Sequence, residues 1–326
     1  MPPETLPRRW RLNPKRRQPP QVRARRRLIF GVLVSAVLVA IRVAASPEEE
    51  ARRPVPQSIV RPPAAPGGQL FPKHRVIGFY GAPQDKKLGA LGIGTPDQAA
   101  AKLRAQARVY ASVRRPVIPA MELLAVIASD SPGDDGLYRT RQAPLTIQRY
   151  HEAARRAGAM LILDIQPGQS DFLTEAKLLE PYLKEPDVGL ALDPEWRLQA
   201  GQVPGQVLGS ATATEINEVA GYLSELVDAN RLPQKLLLVH SFTEEMIQPK
   251  FGLRTPPGVA EVINVDGVGR PDVKRLKYIQ LTASQSPSLG RGFKLFYSED
   301  RRQGSVLMKP REVLRLEPPP DVIVYE

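Results

Sequence analysis

A parallel α/β barrel of the TIM-like (β/α)8 type is the fold this sequence predicts, on three observations. Eight short runs of β-type residues recur between residues 76 and 326. Helical patterns stand between most of them, and the whole series spans about 250 residues, the usual size of such a barrel. The third observation is negative. The first strand is followed by GFYGAPQDKKLGALGIG, which lacks the G-x-G-x-x-G fingerprint of an open dinucleotide-binding sheet.

The predicted strands are VIGFYG (76–81), PVIPAME (116–122), AMLILDIQ (159–166), VGLALDPE (188–195), KLLLVHSF (235–242), EVINVDG (261–267), GFKLFYS (292–298) and DVIVYE (321–326). Each is too short for a core helix and is rich in branched and aromatic residues. The helix after strand one opens with Thr95 as N-cap and Pro96 in the first turn, and the helix after strand two starts at Pro144. LTEAKLLEPYLKE follows strand three, and TATEINEVAGYLSELVDAN follows strand four with a capping box from Thr212 to Glu215. The connection after strand five is weakly marked. PDVKRLKYIQLTAS, starting at Pro271, follows strand six, and MKPREVLRLE follows strand seven. The sequence stops on strand eight, so the eighth helix is expected to be absent.

The formal net charge of +12 suggests a nucleic-acid partner only until it is located. Residues 1–62 carry 14 Lys/Arg against 4 Asp/Glu, which leaves +2 for the rest of the chain. The basicity belongs to a tail, and no nucleic acid is expected on the barrel. The tail divides into a basic stretch (1–27), an apolar segment LIFGVLVSAVLVAIRVAA (28–45) and a Pro-rich linker (46–72), ahead of the barrel at 73–326. The apolar segment is short against the ~20 residues of a full span, and reads as a signal anchor or a cleaved signal peptide. Either places the basic flank in the cytoplasm and the barrel outside it, anchored to the membrane or secreted. The chain has no cysteine, which excludes disulfides, a lipid-modified cysteine and a thiol nucleophile.

Alternate residues of a strand share a face. In strand four, Leu190 and Leu192 suit the helix layer, whereas Ala191, Asp193 and Glu195 point to the barrel axis. The same phase delivers Tyr80, Glu122, Asp164, Gln166, His240 and Asp266 to the carboxyl ends of their strands. It offers Tyr297 or Glu299 on strand seven and Tyr325 on strand eight. Each residue has an ordinary explanation: His240 as a structural histidine, Asp164 and Asp266 as turn residues. Their recurrence around the end of the barrel that carries active sites is what points to function.

Paired carboxylates beside aromatic residues suit carbohydrate hydrolysis. Glu195 is the expected general acid, its pKa raised by Asp193 and by burial against Trp196. Asp193 is placed to orient an N-acetyl group as internal nucleophile, and otherwise Asp266 or Glu299 is the opposing carboxylate. Tyr80, Glu122, Asp164, Gln166, Trp196, His240 and Tyr297 are the expected substrate contacts. No cofactor is expected. With three histidines, His74, His151 and His240, a His-rich metal site cannot be assembled, and an all-carboxylate Mg or Ca site at Asp164, Asp193 and Asp266 is a lesser reading. QPGQSDFL, after strand three, reads as a turn before a loop over the site, and the basic RTRQAPLTIQRYHEAARR as a solvated helix face.

The D-x-E of GLALDPEW resembles the end of strand four in chitinase-like and lysozyme-like glycoside hydrolases. Only Asp193 and Glu195 match their D-x-x-D-x-D-x-E pattern, since Val188 and Ala191 replace the earlier acids. Pro194 stands where glycosidases with an Asn-Glu pair have Asn. The segments PVIPAMELLAVIASDSPG, LDIQPGQSDFLTEAK, VGLALDPEWRL, PQKLLLVHSF and DGVGRP also resemble a group of exported or membrane-anchored actinobacterial proteins. That resemblance implies export and the barrel, without an activity. The expected partners are therefore a cell-envelope polysaccharide, acted on or bound without turnover, and the membrane through the N-terminal segment.

Overall fold

The computed structural model describes residues 59–112 and 114–326. The basic tail, the apolar segment at 28–45 and the first part of the Pro-rich stretch lie outside the described residues. No helix among the described residues is long and apolar enough to cross a membrane.

Eight parallel strands close into a barrel: β1 (Arg75–Gly81), β2 (Val117–Ala128), β3 (Met160–Ile165), β4 (Val188–Leu192), β5 (Lys235–Ser241), β6 (Val259–Val265), β7 (Gly290–Leu295) and β8 (Val322–Tyr325). Each pairs with the next, and β8 returns to β1 with Val322 opposite Val76. The helices are α1 (Pro96–Arg108), α2 (Pro144–Ala157), α3 (Phe172–Leu178), α4 (Glu180–Leu183), α5 (Ala213–Asn230), α6 (Pro271–Ala283) and α7 (Pro310–Val313). Thr95 and Thr212 each close a capping box, with Gln98 and Glu215, which satisfies backbone donors that the first helical turn leaves free. Between β5 and β6 two 3-10 turns and a two-residue strand, Ile247–Gln248, replace a helix.

Several features differ from expectation. β2 runs on to Ala128 and pairs antiparallel with Arg139–Arg141. Those arginines converge on the buried Glu175 of α3, at 2.7 Å from Arg139 Nε and 2.6 Å from Arg141 Nε, so part of the basic stretch is internal counter-charge. The folded unit also begins before residue 73. Val60 N donates to Val117 O at 2.9 Å, Leu70 N donates to Gln234 Oε1 at 2.9 Å, and the Leu70 side chain is buried among Val76, Ile118, Met160 and Leu236. These residues line the amino-terminal mouth of the barrel, and Leu70 covers an apolar layer that water would otherwise wet. β7, finally, ends at Leu295 rather than residue 298.

The inward positions rise in layers. Val76, Ile118, Met160, Leu236 and Val322 are followed by Ala120, Ile162, Ala191, Leu238 and Val324. The next layer is polar, and the site lies there. Outward residues such as Ile77, Phe79, Leu163, Leu190 and Val239 pack under the helices.

Not every buried outward residue is apolar. Glu261 of β6 is buried with neither carboxylate oxygen hydrogen-bonded, and burial alone pushes its pKa up to about 8. The folded chain thus keeps a proton on Glu261 that the unfolded chain releases above about pH 4.5. Stability contributed at acidic pH is lost as pH rises from 4.5 toward 8. Glu261→Met is expected to raise stability by roughly 3 kcal/mol at pH 7, and by much less near pH 4.5. Urea unfolding at the two pH values measures this, and an equal effect at both removes the explanation.

Candidate active site

The polar layer comes from the same strand periodicity that builds the core below it. Two residues beyond Ala120, Ile162, Ala191, Leu238, Val262 and Val324 stand Glu122, Asp164, Asp193, His240, Asn264 and Glu326. Gly292 has the equivalent position on β7 and is followed by Lys294. A Cβ at Gly292 would meet Asn264 Oδ1 at 2.4 Å, so the absence of a side chain there admits the amide.

His240 is the centre of the layer. Its Nδ1 lies 2.5 Å from Asp266 Oδ2, and its Nε2 lies 2.7 Å from Glu122 Oε1 and 3.2 Å from Asp164 Oδ2. Burial by itself would lower the imidazole pKa, but Asp266 and Glu122 outweigh it and hold the ring charged well above the usual range. Asn264 Nδ2 donates to Asp266 Oδ1 at 2.7 Å. Lys294 Nζ stands 2.8 Å from Glu326, 3.8 Å from Asp266 and 3.5 Å from the centre of the Tyr80 ring. Burial opposes its charge too, and the carboxylates, Glu326 first, overcome that and raise its pKa. Gln166 Nε2 donates to Tyr80 OH at 3.1 Å and to Asp193 Oδ2 at 3.3 Å.

Above this layer a cavity of about 480 Å³ opens at the carboxyl ends of the strands. Tyr80, Gln166, Asp193, Glu195, Trp196 and Asp266 line it, joined by Lys294, Glu326 and the aromatic rings of Phe242 and Phe296. Its size and mixed lining suit a small molecule or a few sugar rings. Glu195 lies beyond the end of β4 on the 3-10 turn Pro194–Trp196, which swings its carboxyl into the cavity. Among the described residues that carboxyl has no ion-pair or hydrogen-bond partner. Burial raises its pKa first and the charge of Asp266 second, with Lys294 opposing. Asp193, two residues earlier, is the other carboxyl of the pair. It is more deeply buried, is itself raised by burial, Asp164 and Glu195, and orients Gln166.

Tyr80, Glu122, Asp164, Gln166, Asp193, Glu195, Trp196, His240 and Asp266 thus gather at one end of the barrel. Glu122, Asp164 and His240 lie beneath the cavity lining rather than on it. Three expected residues are elsewhere. Tyr297 donates to Gln106 of α1 at 3.3 Å and stacks on Tyr325 with ring centres 5.1 Å apart, and Tyr325 OH lies 2.5 Å from Tyr110 OH, so both tyrosines belong to the helix layer. Glu299 sits on a surface 3-10 turn and pairs with Arg302 at 2.8 Å. The inward positions of β7 are Gly292, Lys294 and then Phe296, one residue out of step with the expected phase. An all-carboxylate set of Asp164, Asp193 and Asp266 does not assemble either, because Asp164 and Asp266 face opposite nitrogens of the His240 ring. QPGQSDFL is a turn in which Asp171 caps α3.

Lys294, Asn264, Phe296 and Glu326 were not anticipated. The available signal was a lysine inside the apolar run GFKLF, since a buried strand rarely carries a lysine without a carboxylate to receive it.

No protein-family model matches the chain, and no curated protein matches it.

Proposed function

We propose that this chain is a glycoside hydrolase-like enzyme of the cell envelope, with Glu195 as general acid and Asp266 as the partner carboxylate. The observation that carries the reading is Glu195 itself, an untied carboxyl with a raised pKa, in one cavity with Asp266 and four aromatic residues. Protonated Glu195 donates to the glycosidic oxygen as the bond breaks. Asp266, positioned by His240 and Asn264, serves the anomeric carbon as base toward water or as nucleophile. Trp196, Phe242 and Phe296 offer apolar surface for sugar rings. Glu299, on its surface turn, has no part in this scheme. The N-terminal apolar segment would hold the barrel outside the cytoplasm, in reach of a polysaccharide.

A second reading has its own observation. On and beneath the cavity floor the polar groups close on one another, Glu122 and Asp266 on His240 and Glu326 on Lys294, as in a scaffold that binds glycan without turnover. Incubating the full-length protein with a panel of envelope polysaccharides and scoring new reducing ends separates the two. New ends support hydrolysis, whereas retention on a polymer without new ends supports the binding role.

A further inference from the structure

The geometry points to a divalent-cation site under the cavity floor, built from Glu122 of β2, Asp164 just before the end of β3 and His240 of β5. One potential ligand atom from each lies within 4.8 Å of the other two, and all three side chains are buried. His240 Nε2 stands 2.7 Å from Glu122 Oε1 and 3.2 Å from Asp164 Oδ2. Ligand atoms at about 2.1 Å from an ion, in adjacent octahedral positions, stand roughly 3.0 Å apart, which both of these separations approach to within a few tenths of an ångström.

Three further observations favour a cation over simple packing. Asp164 is fully buried and neither of its oxygens has a hydrogen-bond partner. Its Oδ2 is close to His240 Nε2, but that N–H is directed at Glu122. Glu122 Oε2 is likewise unpartnered. Orphaned buried carboxylate oxygens are expensive, and two on one residue call for a ligand that accepts electron pairs.

The arrangement behind the histidine fits as well. Asp266 holds Nδ1 at 2.5 Å and is itself fixed by Asn264, which leaves Nε2 as the metal-facing nitrogen in the familiar carboxylate–histidine–metal order. Binding an ion would displace the Nε2 proton.

Charge is the third observation. Glu122, Asp164, Asp193 and Asp266 are buried against His240 and Lys294, and Lys294 is already paired with Glu326. Carboxyl groups therefore outnumber cationic groups in the layer, and a divalent ion would favour their ionised forms where, among the described residues, no further lysine or arginine reaches. One imidazole with two carboxylates suits a borderline first-row ion such as Mn2+ or Zn2+ better than Ca2+, which takes six to eight oxygens.

Access is short. Each ligand precedes a cavity-lining residue by two positions on its chain: Glu122 before Leu124, Asp164 before Gln166, His240 before Phe242. An ion in the site would lie one layer below the cavity. The inference does not depend on hydrolysis, because its readouts are binding and stability.

The test uses full-length protein stripped with chelator, titrated with Mn2+, Zn2+, Mg2+ or Ca2+ separately, and followed by thermal unfolding and, for Mn2+, by electron paramagnetic resonance. Mn2+ or Zn2+ at 100-fold above Kd should raise Tm by about 5–10 °C. Asp164→Asn and Glu122→Gln, each checked for folding by circular dichroism, should abolish that rise. Asp266→Asn should weaken binding about 10- to 100-fold, and Glu195→Gln should leave it unchanged. No bound Mn2+ or Zn2+, a response to Ca2+ alone, or an undiminished response in both Asp164→Asn and Glu122→Gln overturns the assignment.

Discussion

Glu195→Gln is expected to lower polysaccharide hydrolysis by about 10²- to 10⁴-fold while leaving retention on the polymer intact. Gln keeps the size and the hydrogen-bonding reach of the side chain but carries no transferable proton. The pH dependence makes the test specific to acid catalysis. Burial and then Asp266 raise the pKa of Glu195, so the competent protonated form persists above the ordinary carboxylate range and is lost as pH rises through the raised value. The parent should show that falling limb, and the variant should lack it. Aryl glycosides with good leaving groups, which need little protonation, should lose least. A uniform loss across leaving groups would leave Glu195 as a binding residue.

Lys294→Met is expected to cost about 3–5 kcal/mol of stability at pH 7–8. The methionine fits the volume, so the loss is electrostatic. It strips the counter-charge from Glu326 at 2.8 Å and from Asp266 at 3.8 Å, and removes the cation over Tyr80. The folded pKa of Lys294 is raised, so its contribution is fully present below the unfolded value of about 10.5 and is lost only as pH climbs through the folded one. The parent therefore has all of it at pH 7. In the variant the stranded carboxylates can take up protons instead, so the deficit should shrink toward pH 5. Urea unfolding at pH 5 and pH 8 measures both points, and a deficit that is small or independent of pH would show that Lys294 is not the compensating charge. Because Lys294 also lowers the Glu195 pKa, the same substitution should move the falling limb of the pH–rate profile to higher pH. That shift connects the stability of the polar layer to the proposed chemistry.

Most of the barrel was legible because its strands are buried on both faces and announce themselves as short apolar runs between helix caps. The N-cap at Thr95, the capping box at Thr212 and the weakly marked connection after β5 were read from local residue types. Inward phase was legible at Glu122, Asp164, Asp193 and His240, where an apolar strand ended in a polar residue, but on β8 it was assigned to Tyr325 instead of Glu326. It failed on β7, where two glycines carry no side chain to mark the face and aromatic residues occupy both faces, so Tyr297 and Glu299 were assigned a parity that belongs to Lys294. Leu70 was missed for a related reason. One apolar residue in a Pro- and Gly-rich stretch has no periodicity, and only the barrel mouth beneath it gives it a place.

By itself, the sequence determined the order of strands and helices, the polar carboxyl ends of the strands and the absence of any thiol chemistry, because each follows from residue types a few positions apart. The tertiary structure alone decided which polar groups meet. Glu122 and His240 are 118 residues apart in the chain and hydrogen-bonded at 2.7 Å, Lys294 finds Glu326 across the β7–β8 pair, and Glu195 turns into the cavity on a 3-10 turn instead of pointing there along a strand. Pairing, burial and the pKa shifts that follow depend on distances across the closed barrel, and a linear pattern carries no distance between strands.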